Sequence, residues 1–147
     1  MKNLVMRSTA IMGLFFMLAM VSAQAQTPRT MEVNIPFDFS AGKAALKAGT
    51  YSIKRLAGSA LAISAADSKT IALVNAPLTI GSRDFKAGER LVFNKYGDDY
   101  FLSQVWLSAD SGRQLFTSGG ETKTAREYRL ARKNAKPERI EIAASHK

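Results

Sequence analysis

Two runs of strand-favouring residues, L-V-F-N-K at 91–95 and Y-F-L-S-Q-V-W at 100–106, flank the turn Tyr96-Gly97-Asp98-Asp99. Glycine supplies positive φ, and aspartates tolerate a bend. Val, Phe, Tyr and Trp suit a pleated, half-buried surface. The stretch therefore predicts a long β-hairpin. It holds the only tryptophan, Trp106, and two of the four tyrosines, so it is expected to contribute the largest apolar share of the core.

The same period runs through the chain. Met31, Val33, Ile35, Phe37 and Phe39 alternate with Glu32, Asn34, Pro36 and Asp38, giving a strand with one apolar face. Pro36 cannot donate to a ladder, which predicts an edge or bulge there. Residues 40–48 read as a polar connection. Strands follow at 50–56 and 60–65, separated by Ala57-Gly58-Ser59. Residues 70–80 are nearly continuous in apolar side chains and predict a strand buried on both faces, with Pro77 marking a bulge or its end near Ala76. After the hairpin, Ala109-Asp110-Ser111-Gly112 is a turn and 113–117 returns as a short strand.

The period then changes. Ser118 with Glu121 three residues on fits a capping box. The spacing predicts a helix over about 119–133, with Ala125 and Tyr128 as a thin apolar stripe, closed by Asn134 and Pro137. Ile140 and Ile142 place a final strand at about 138–143. The fold expected is mainly β: an antiparallel β-sandwich or barrel of about eight strands with one C-terminal α-helix. The helix is expected to cover an open edge or end of the sheet.

The motifs V-N-I-P-F-D-F (33–39), K-A-G-T-Y-S-I (47–53) and the hairpin sequence 91–106, followed by a basic helix, resemble a family of short exported bacterial proteins of unknown function. The resemblance covers most of the chain after the N-terminal segment. Its motifs are strands and turns, so it implies no catalytic or binding residue. The family form has Leu-Pro-Ala-Gly where this chain has Leu46-Lys47-Ala48-Gly49, which puts the local turn geometry in question.

Lys2 and Arg7, the apolar run 11–21 and Ala23-Gln24-Ala25 form the three parts of a secretory signal. Cleavage after Ala25 predicts a signal peptide at 1–25 and a single β-rich domain at 26–147, periplasmic or secreted, with no transmembrane span after processing. There is no cysteine, hence no disulfide framework and no thiolate chemistry. The formal charge is +9; loss of Lys2 and Arg7 leaves +7. From Arg113 onward nine basic residues face four acidic ones. Lys123, Arg126, Arg129 and Lys133 recur at helical spacing and are candidate contacts for an anionic envelope polymer or lipid surface. No specific nucleic-acid contact is expected.

The catalytic inventory is short. His146, the single histidine, lies one residue from the end, where a Ser-His-Asp relay or histidine metal site has no fixed partner. No phosphate loop, nucleophile elbow, metal motif or cofactor motif is found. Asp98 with Asp99, or Asp84 with Glu89, are the acid pairs a carboxylate-dependent hydrolase would need, although Asp98 and Asp99 read first as turn residues. Tyr96, Tyr100, Phe101 and Trp106 either pack the core or line a groove for a small apolar ligand. The expectation is an exported, non-enzymatic binding or structural protein of the bacterial envelope or exterior, with a carrier of a small apolar ligand as the alternative and a hydrolase behind both.

Overall fold

In a computed structural model of the protein, residues 30–66, 71–83, 86–132 and 135–144 are described. The signal segment, Asp84, Lys133 and His146 lie outside the described residues. In chain order the elements are β1 (Thr30–Ile35), β2 (Phe39–Ala41), β3 (Ala44–Leu46), β4 (Gly49–Arg55), β5 (Ala60–Ala65), β6 (Ile71–Asn75), β7 (Leu78–Gly81), β8 (Arg90–Tyr96), β9 (Asp99–Trp106), β10 (Ser111–Gln114), α1 (Gly119–Ala131) and β11 (Glu138–Ala143).

The strands form two facing sheets, a sandwich rather than a closed barrel. The first sheet has the order β1-β4-β5-β6 and is antiparallel throughout. Its alternation is regular. Met31, Val33, Ile35, Tyr51, Ile53, Leu61, Ile63, Ala72 and Val74 are buried, while residues between them face outward. The second sheet runs β11-β8-β9-β10-β7, and β2 joins it by one parallel bridge, Ser40 to Phe101, with β3 paired to β2. Phe39, Leu46, Leu91, Phe93, Leu102, Val105 and Leu115 from this side fill the space between the sheets. Phe93 is wholly buried, with the rings of Phe37 and Phe39 edge-on to it at 5.2 and 5.4 Å. Burial of one such ring stabilises the fold by about 1.5–3 kcal/mol.

The expected hairpin is β8–β9. Tyr96 pairs with Asp99, and Gly97 takes φ 65° in the two-residue turn. A bulge between Val92 and Phe93 lets the partner strand skip Ser103, so Leu102 and Val105 both point inward. The Ser103 carbonyl accepts from Leu115 N at 2.9 Å instead.

Eleven strands stand among the described residues where about eight were expected, and proline accounts for two of the extra breaks. Pro36 divides the first predicted strand into β1 and β2, and the Ala76-Pro77 step divides 70–80 into β6 and β7. The third addition is β3. Residues 40–48 are not a plain connection, because Gly42 at φ 61° turns β2 back onto β3. Residues 70–80 are also not buried on both faces. Leu73 is 71% exposed, because it points away from the core while its neighbours Ala72 and Val74 point inward. The strand after the hairpin begins at Ser111 rather than Arg113, and the helix ends at Ala131, with Arg132 as its C-cap. At Lys47 the ammonium bonds Asp38 at 2.7 Å and Ala48 N donates to the same carboxylate at 2.9 Å. The Lys47 bond, then that from Ala48 N, holds the Asp38 carboxyl below its usual range.

Candidate functional site

The outward face of β8–β9 is covered as well as the inward one. At one end Arg90, Trp106, Gln104 and Arg139 interlock. The Arg90 guanidinium lies 4.2 Å from the Trp106 ring centre. Trp106 Nε1 and Arg139 Nη2 both donate to Gln104 Oε1 at 3.1 Å. Arg90 Nη1 donates to the Gly88 carbonyl, while its Nε faces Glu141 at 3.4 Å without a hydrogen-bond partner. Gly112 packs against the indole.

At the other end the sheet carries α1. Ser118 caps it, its hydroxyl accepting from Glu121 N at 3.1 Å. The capping box is only half formed, because the Glu121 side chain does not turn back to the cap. It enters the sheet face, 4% exposed, and accepts from Asn94 Nδ2 at 2.8 Å and Tyr96 OH at 3.3 Å. Burial, and then the Glu121 charge beside it, push the Tyr96 phenol above its ordinary value. Tyr128 meets Tyr96 edge-on at 5.8 Å, and Arg132 lies 5.3 Å from the Tyr128 ring. Thus Glu121, Ala125 and Tyr128, at helical spacing, form the docking face.

The rest of the helix is net cationic: Lys123 and Arg126 point to solvent beside the exposed Glu127, and Arg129 stands at the edge of the docking face near Tyr96. Lys123, Arg126 and Arg129 are exposed, and Leu130 beside them is 76% exposed. Arg129 Nε donates to the Ala125 carbonyl at 3.2 Å. Among the described residues the ion pairs are Lys47–Asp38, Arg90–Glu141 and Lys95–Glu138, so none involves this row. Lys133, the fourth predicted member, lies outside the described residues. At 1.5 Å per residue the step from Lys123 to Arg129 spans about 9 Å along the axis.

The four candidate aromatics do not line one groove. Tyr100 faces inward and stacks on Phe37 at 3.9 Å. Tyr96 and Phe101 pair on the outward face near α1, and Trp106 sits with Arg90 at the far end. Asp98 and Asp99 are exposed hairpin residues. They border a cleft of about 200 Å³ with Asp38 and Lys47, but Asp38 is already bonded to Lys47 and Ala48 N. Glu89 is described, and its proposed partner Asp84 is not. No helix among the described residues is long and apolar enough to cross a membrane.

Sequence reasoning missed Asn94 and the sheetward use of Glu121. Alternation places Asn94 and Tyr96 together on one hairpin face, but only the bulge that skips Ser103 brings Phe101 and Trp106 to that same face, so the covered outer face could not be read from period alone. No protein-family model matches the chain, and no curated protein or solved structure is significantly similar to it.

Proposed function

We propose that the protein is an exported, non-enzymatic binding protein of the bacterial envelope or exterior that holds a linear anionic polymer along α1. The observation that carries this reading is the row Lys123, Arg126 and Arg129, exposed and without ion pairs among the described residues, on a helix fixed by a buried carboxylate. A row of exposed cations on a docked helix suits a linear array of carboxylates or phosphates. A polymer is preferred to a lipid surface because Leu130 is the sole large apolar side chain on that face, too little area for insertion into an interface. The signal-like N-terminus and the resemblance to short exported proteins support the destination. Side chains filling the space between the sheets weigh against the apolar-ligand carrier.

The test compares the full chain with a Lys123→Glu, Arg126→Glu, Arg129→Glu variant on polygalacturonate and on anionic vesicles at low salt. The parent is expected to bind the polymer and the variant to lose at least tenfold in affinity. Equal polymer binding by both proteins, or binding by the parent to vesicles alone, contradicts the reading.

A further inference from the structure

Between α1 and the segment returning to β11 lies a crevice of about 490 Å³. Thr122, Ala125 and Arg129 form the helix wall, Lys136 and Pro137 the opposite wall, and Tyr96 lies at its base. Resting on the reading of α1 as a polymer-binding helix, we propose that this crevice seats one anionic sugar unit of that polymer.

The volume falls within the 300–1,000 Å³ of small-molecule sites and far exceeds the room a lone phosphate or carboxylate needs. Two cations border it, and neither is in an ion pair among the described residues. Arg129 offers the planar fork that matches a carboxylate, and its Nε bond to the Ala125 carbonyl anchors it on the helix wall. Lys136 supplies a point charge from across the gap. The nearby carboxylate, Glu121, is occupied by Asn94 and Tyr96 inside the sheet interface. The Thr122 hydroxyl donates to the Ser118 carbonyl at 3.0 Å, which leaves its oxygen free to accept from a sugar hydroxyl. Ala125, Pro137 and the Tyr96 ring give a small apolar surface suited to the C–H face of a pyranose. Charge at the rim, hydroxyl chemistry on a wall and a short apolar base describe a sugar acid better than a lipid tail or a free anion. Arg129 belongs to both the helix row and the crevice, so a chain lying along α1 can dip one unit between the walls.

The test uses the full chain and digalacturonate, with maltose as the neutral control and polygalacturonate as the long ligand. Lys136→Glu alters the crevice alone, Lys123→Glu makes the same charge change outside it, and Ala135→Trp fills it without changing charge. The parent is expected to bind digalacturonate at least tenfold tighter than maltose. Lys136→Glu and Ala135→Trp should each weaken digalacturonate at least tenfold, and Lys123→Glu less than threefold. Equal losses for Lys136→Glu and Lys123→Glu, equal binding of maltose, or no effect of Ala135→Trp in a folded variant overturns the proposal. Polygalacturonate binding without digalacturonate binding overturns the crevice and leaves the helix row standing; loss of both ligands in the parent removes both.

Discussion

Gly112 has no side chain where Trp106 has its ring. A β-carbon placed there would come within 2.5 Å of the indole Cδ2 and 2.8 Å of two further ring carbons. The indole has little freedom to retreat, since Arg90 lies over it and its Nε1 is tied to Gln104. Gly112→Ala is therefore expected to lower stability by about 1–3 kcal/mol through overpacking. Urea unfolding measures this, and an unchanged midpoint would mean that the indole shifts freely. Residue identity here was not legible beforehand: Ala109-Asp110-Ser111-Gly112 reads as a turn, and glycine in a turn suggests backbone freedom. The demand on Gly112 comes from a ring six positions earlier, and local patterning carries no trace of it. Trp106 itself was legible as a buried residue, but not the face of the sheet on which it is buried.

At the scale of elements, alternation identified the strands that have one solvent face, such as β1 and β4. It misread 70–80, where a run of apolar residues hides an edge strand. Leu73 is apolar without being buried, a permitted exposure that periodicity alone cannot detect. Pro36 and Pro77 were recognised as interruptions, and each became a break between strands. The capping signal placed the start of α1 correctly, but the destination of Glu121 depends on Asn94, 27 residues earlier. That clamp makes helix docking weaken at alkaline pH. The Tyr96 phenol is held above its ordinary pKa of about 10. The folded state thus favours the neutral phenol more than the unfolded chain does. The resulting stability is complete below about pH 10 and is lost as pH rises from there through the raised value. Stability of the parent is expected to fall over that window, and Tyr96→Phe to fall less steeply. Parallel curves for the two proteins, followed by urea unfolding between pH 8 and 11, would show that Tyr96 is not the group responsible.

For the whole molecule, the two-sheet sandwich is a rigid support. Its inner face is filled, and its outer face carries a helix that shows Lys123 and Arg126 to solvent, with Arg129 at its edge. The class of fold and the basic helix were both legible from period and charge. The crevice beside α1 was not, because it joins Tyr96, Arg129 and Lys136 through a helix orientation that the Glu121 clamp sets. The central claim is that the row Lys123, Arg126 and Arg129 neutralises a linear polyanion. A contact of that kind releases counterions, so affinity falls linearly with salt on logarithmic axes, with a slope that counts the neutralised charges. The direct measurement is the affinity of the full chain for polygalacturonate from about 20 to 200 mM salt, beside the variant with all three residues changed to Glu. The parent is predicted to give a slope between about −1 and −3, and the variant to show no measurable binding over the range. A parent slope near zero, or the same slope in both proteins, would contradict the account.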